Sequence, residues 1–212
     1  MAPIDRPVPR FSAEPPQDLL PYGRWAATLR ERFLAACERI DAEGEDLGEP
    51  QEVLWFPDRT WNGRTYIPAT ARTTTGFELF GHVSFEPAEE QGAQPEDLTA
   101  VADFTDETAD RHPEWRLDLC DDVVGRWRGD DEVAEMTLVW GVPMVPRGAT
   151  ATAELGDVVV DQCRLVEQRF TLLAPDGLGD ETLDVLLFDA GGEELARESL
   201  YAEDDEEDED EG

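Results

Sequence analysis

The densest group of side chains able to do chemistry is Asp103, Asp106, Glu107, Asp110 and His112. Hard carboxylate oxygens this close in sequence suit calcium or magnesium, because one loop can then supply several ligands. The run does not follow an EF-hand loop and lacks the glycine such a loop needs at its sharp turn. In a chain with 51 Asp and Glu residues, carboxylates also gather without any metal, and runs of charge are usually solvated surface. A solvated loop is therefore the first expectation, and a calcium or magnesium site the alternative. Asp176, Asp180 and Glu181 form a thinner version in PDGLGDE, where a glycine-rich hairpin loop accounts for them.

A second group centres on Trp61, flanked by Arg59 and Arg64. An indole beside guanidinium groups can stack on a planar or sugar ligand, and Asp58 to Gly63 (DRTWNG) reads as an exposed turn that would present it. Trp127, between Arg126 and Arg128, has the same composition. Arginine stems covering a ring at the edge of a sheet core are the plainer reading of both.

Other catalytic classes find no footing. The serines are Ser12, Ser84 and Ser199, none in GxSxG, and His82 and His112 are the only imidazoles. HExxH, GxGxxG and GxxxxGK[ST] are missing. All 17 basic residues are arginine. Without lysine there is no Schiff-base chemistry, no pyridoxal phosphate attachment and no P-loop lysine. Paired carboxylates for glycoside hydrolysis carry no weight, since among 51 acids some pair always falls at a suitable distance.

Gly125-Arg126-Trp127 resembles the GxW motif of lipocalin-like barrels, which implies a barrel following the motif. Only about 75 residues follow before the acidic tail, too few for the eight strands of such a barrel. The motif therefore assigns no family. Cys37, Cys120 and Cys163 are odd in number, widely spaced and outside any CxxC. Three buried thiols are expected, with no disulfide and no zinc site.

The formal net charge is −34, and nine consecutive acids from Glu203 to Glu211 account for part of it. Without them −25 remains, so the folded part is itself strongly acidic. Nucleic acid and anionic membrane surfaces need a positive field, and direct binding to either is disfavoured. The acidity reads as solubility or high-salt adaptation, or as a surface for a basic protein partner. No apolar run approaches the ~20 residues of a membrane span. The first residues, MAPIDRPVPRFSAEPPQ, contain no secretory apolar core. The expected location is the cytoplasm.

The elements behind these groups are mostly strands. Residues 1–17 carry five prolines and read as an extended arm. One amphipathic helix is expected over 18–44, with Tyr22, Trp25, Leu29, Phe33, Ala36 and Ile40 in a single stripe. Pro21 suits its first turn and Gly44 its stop. Phe77, Leu79, Gly81, Val83 and Phe85 alternate with a mostly polar set, as in a half-buried strand. Ala134 to Val142 and Leu183 to Leu187 alternate in the same way, and Glu193 to Tyr201 reads as the return of a hairpin. Shorter strand candidates are 52–56, 64–74, 98–105, 149–155 and 157–173. Residues 113–128 fit either a helix or a strand and hairpin, and the strand reading is preferred. A diluted repeat pairs Phe104-Thr105 and Leu117 with Phe170-Thr171 and Leu183 at the same interval.

These elements specify a mainly β protein. It is an antiparallel β-sandwich, or two small sandwich-like units at about 52–128 and 133–202, with one N-terminal helix packed on the sheet and a disordered acidic tail at 203–212. The function expected is that of a non-catalytic cytoplasmic binding or assembly protein with a protein partner and no cofactor. The alternative is a metal-dependent enzyme or small-ligand-binding β protein using the Asp103–His112 cluster.

Overall fold

The structure is a computed structural model that describes residues 20–88, 95–128, 133–156, 158–176 and 182–200. The expected arm at 1–17, the acidic tail at 203–212 and the pair Asp180 and Glu181 lie outside the described residues.

The apolar stripe near the N-terminus forms one helix, α1 (Gly23–Cys37), shorter than expected at both ends. Pro21 and Tyr22 precede it, and Tyr22 is 76 % exposed. At the other end Arg39 and Ile40 donate their amides to Ala36 and Cys37, three residues back, and this tighter turn stops the helix well before Gly44. Leu29, Phe33 and Ala36 are buried. Trp25 meets Phe85 edge-on at 5.2 Å between ring centroids.

Nearly everything else is antiparallel sheet. The first sheet holds β1 (Pro50–Trp55), β2 (Arg59–Trp61), β3 (Arg64–Thr73), β4 (Glu78–Glu86) and β5 (Glu96–Thr105), in the order β1-β3-β4-β5 with β2 also paired to β3. The second holds β6 (Leu117–Arg128), β7 (Val133–Pro143) and β10 (Phe170–Asp176), in the order β10-β7-β6. The third holds β8 (Gly148–Leu155), β9 (Val158–Arg164), β11 (Leu183–Asp189) and β12 (Glu194–Ser199), in the order β12-β11-β8-β9. The segment 113–128 is strand in the part that forms β6, and β6 pairs with β7 from Leu117↔Pro143 to Arg128↔Val133.

Side-chain alternation sorts these sheets into layers. Ile67, Ala69, Ala71 and Val83 of the first sheet form a core with Leu29 and Phe33 of the helix. Tyr66, on the opposite face, packs against Met136, Leu138 and Trp140 of β7 and Leu173 of β10. The other face of the second sheet, with Val139, Phe170 and Leu172, packs on Ala151, Val185 and Leu187 of the third. The second sheet is thus covered on both sides, and every residue of β10 is buried. Each adjacent pair of sheets is sandwich-like.

This layering changes the reading of β4. Its polar face was expected to meet solvent, but the second sheet covers it, leaving Glu78, His82 and Ser84 between 4 and 7 % exposed. One turn was also missed and another drawn too wide. The segment 157–173 is two strands, β9 and the start of β10, reversed at Glu167 and Gln168, both with positive φ. The exposed turn read over Asp58 to Gly63 shrinks to Asn62-Gly63, also both at positive φ, as a type I′ hairpin requires. Arg59–Trp61 is strand.

Candidate functional site

The acidic cluster is consumed by local partners. Asp103 Oδ1 accepts the amide of Phe104 at 2.8 Å, and Asp106 pairs with Arg111. His112 lies between two carboxylates: Glu107 at Nε2 and Glu114 at Nδ1, the latter 3.2 Å away. Its ring stacks on Trp115 at 4.5 Å, and that contact orients it. Asp110 is exposed, with Oδ2 3.5 Å from Arg72 Nη1. Among the described residues no three His, Cys, Asp or Glu side chains come together in a group that could hold a metal ion.

Trp61, Arg59 and Arg64 share one face of the β2–β3 ribbon but do different work. Arg59 is 2 % exposed, and its Nη2 lies 2.5 Å from Asp161 Oδ2 on β9. The same oxygen accepts the amide of Leu173 at 2.8 Å, so Asp161 joins β2 of the first sheet to the outer edge of β10. Burial is the largest influence on Asp161 and raises its carboxyl; Arg59 opposes it. Arg64 donates to Ser84 Oγ at 3.0 Å, Asp97 Oδ2 at 2.8 Å and Thr99 Oγ1 at 2.7 Å, tying β3 to β4 and β5. The Trp61 ring lies over Gly125, where an added Cβ would come within 2.5 Å of Cζ3. Gly125 is the first residue of the GxW-like triplet, and its missing side chain is the seat for Trp61. In this arrangement Arg59 and Arg64 tie strands and sheets together, and Trp61 packs on Gly125.

The structure instead assembles a group that sequence reading passed over. Arg72 and Glu78 are directly opposite in the β3–β4 register, on the face turned toward the second sheet. Asp118 and Cys120 alternate along β6 and face them; their β7 partners are Val142 and Trp140. Arg72 Nε lies 2.7 Å from Glu78 Oε2, while its Nη2 is 4.0 Å from Asp118 Oδ2, too far for a hydrogen bond. These groups border a cavity of about 410 Å³ between the first two sheets, walled on its apolar side by Leu54, Phe56, Trp140 and Val142.

Burial dominates the electrostatics. It pushes the Glu78 carboxyl up to about 7, with repulsion from Asp118 adding to the rise and the Arg72 guanidinium opposing it. Asp118 is raised for the same reason, again against the pull of Arg72. The Cys120 thiol is pushed well above its ordinary value by burial first and by the nearby carboxylates second. Such a thiol is not a ready nucleophile. Trp140 is fully buried, and its indole N–H has no acceptor among the described residues.

A second polar contact crosses the same sheet interface. His82 Nδ1 lies 3.1 Å from Asp122 Oδ2, out of line for a hydrogen bond, with Tyr66 packed edge-on against the ring. All three cysteines are free thiols. No helix among the described residues is long and apolar enough to cross a membrane.

Of the metal- and ligand-binding candidates singled out in the sequence, only Asp110 borders the cavity, and of the three cysteines only Cys120 does. Arg72, Glu78, Asp118, Cys120 and Trp140 come from four strands and carry no motif, so only the strand pairings bring them together. Comparisons of the chain with family models, with curated proteins and with solved structures give no match.

Proposed function

We propose that this chain is a non-catalytic binding protein that holds a small molecule in the cleft between its first two sheets. The observation that carries this reading is the cavity of about 410 Å³, with aromatic and aliphatic walls and a buried Glu78–Arg72 pair at one side. Ligand sites are concave, mostly apolar and supplied with few polar groups, and typical ones occupy roughly 300–1,000 Å³. The half-buried Cys120 thiol, pushed well above its ordinary value by desolvation, supports binding over covalent catalysis. Ligand-observed NMR with a mixed fragment set, on the wild type and on Val142→Phe, tests the reading. Fragments should bind the wild type saturably and lose binding when the larger side chain enters the cleft. Equal binding by both proteins would place the ligand elsewhere.

The net charge of −34 supports a second activity, association of the exterior with a basic protein partner in the cytoplasm. That association should weaken steeply between low and physiological salt. Association indifferent to salt would contradict it.

A further inference from the structure

The cleft contains an imbalance of charge that its own residues do not settle. Four carboxylates border it, from Glu52, Glu78, Asp110 and Asp118, against the single guanidinium of Arg72. Only Glu78 is held at hydrogen-bond distance by that guanidinium; Asp110 and Asp118 lie 3.5 and 4.0 Å from its Nη atoms. Glu52 and Asp110 are open to solvent, and Glu78 has Arg72 as its partner. The Asp118 side chain, however, is only 13 % exposed and 4.0 Å from the nearest guanidinium nitrogen, so its charge is both desolvated and weakly compensated. Buried charge of one sign is costly without a counter-charge.

Independently of the carboxylates, the cavity wall holds an unsatisfied donor. Trp140 is fully buried, and its indole N–H lacks an acceptor among the described residues. Buried donors are normally satisfied by protein, water or ligand. The carboxylates ask for a cation and the indole for an acceptor, and apolar walls lie between. A single metal ion does not answer both, because the carboxylates do not come together as a metal-binding group.

Resting on the cleft as the binding site, we propose that its ligand is a small organic cation, an ammonium or guanidinium on an apolar body that also carries a hydrogen-bond acceptor. The charged group lies among Glu78, Asp118 and Asp110, the body against Phe56 and Val142, and the acceptor toward the indole of Trp140. Entry of the cation favours the ionised form of Glu78, so binding releases a proton in the range where the free carboxyl is still protonated. Affinity therefore falls as the pH drops below about 7.

Calorimetry on the full chain with three matched probes tests this: tyramine, neutral 4-ethylphenol and anionic 3-(4-hydroxyphenyl)propionate. Tyramine should bind at least about tenfold more tightly than the neutral probe, and the anion should not bind. Its affinity should fall by up to about tenfold per pH unit below 7. Glu78→Gln should bind tyramine about tenfold or more weakly and lose that pH dependence; Asp118→Asn serves in its place if the first variant fails to fold. Binding of the neutral or anionic probe as tightly as tyramine would overturn the cation assignment and leave the cleft as a site. Binding of calcium or magnesium in competition with tyramine would assign the carboxylates to a metal instead. If no probe of any charge binds, the cleft reading itself falls.

Discussion

Replacing Glu78 by glutamine should stabilise this protein, and only above a definite pH. Glutamine has the shape of the protonated acid, and its Oε1 can still accept the hydrogen bond from Arg72 Nε that Glu78 accepts at 2.7 Å. In the folded chain burial lifts the carboxyl from its ordinary 4.5 to about 7. A raised carboxyl binds its proton more tightly folded than unfolded. Its contribution to stability is therefore complete below about 4.5 and is lost as the pH rises through 7. At about 1.36 kcal/mol per pH unit the loss comes to about 3 kcal/mol. Glutamine cannot ionise and does not suffer it. Urea denaturation of both proteins should give nearly equal stability at pH 5, and an advantage to Glu78→Gln of about 2–3 kcal/mol at pH 8. In thermal melts at pH 8 that corresponds to roughly 5–10 °C for a chain of this size. A variant less stable than the wild type at pH 8, or a difference that does not change with pH, would refute the reasoning. Either result would mean that Arg72, rather than desolvation, governs Glu78.

Further outcomes follow from the other contacts between layers. Arg59→Met leaves Asp161 buried without its partner and should cost about 3–5 kcal/mol by chemical denaturation; a loss below about 1 kcal/mol would show that the pair does not bind the sheets together. Gly125→Ala puts a methyl against the ring of Trp61. It should destabilise by about 1–3 kcal/mol and shift the tryptophan emission, and an unchanged melting curve would refute that packing. Burial pushes the Cys37 thiol up to about 11 and the Cys163 thiol to about 12. A thiol reagent at pH 8 should accordingly react slowly with the native protein and count three thiols once it is unfolded without reductant. Fewer than three would reveal a disulfide.

Local periodicity made most of the elements legible. The stripe from Trp25 to Ala36 specified a helix, and the alternation through Phe77 to Phe85 specified β4. Periodicity says less about how many faces of a strand are covered, because that depends on which sheet arrives on the far side. The polar face of β4 looked like a solvent face, yet it borders the candidate cleft. The hairpin at Asn62-Gly63 was readable from its turn residues, since both adopt positive φ most readily. Reading the whole of Asp58 to Gly63 as a turn hid β2 and misplaced Arg59 from the core to the surface. The turn at Glu167-Gln168 has no such marker, because neither residue favours positive φ. The acidic cluster drew attention through density alone. Its carboxylates pair with Arg111, His112 and Arg72, contacts that spacing along the chain does not reveal.

The central claim is that the cleft between the first two sheets receives a ligand, and the indole N–H of Trp140 is its most direct reporter. It is buried, lacks an acceptor among the described residues and belongs to a side chain in the cavity wall. In a ¹⁵N-labelled chain its resonance should move saturably on titration with tyramine, together with the amides of Val142 and Met144, and none of the three should move in Val142→Phe. A probe that binds while all three stay fixed, or moves them equally in the variant, would contradict the claim.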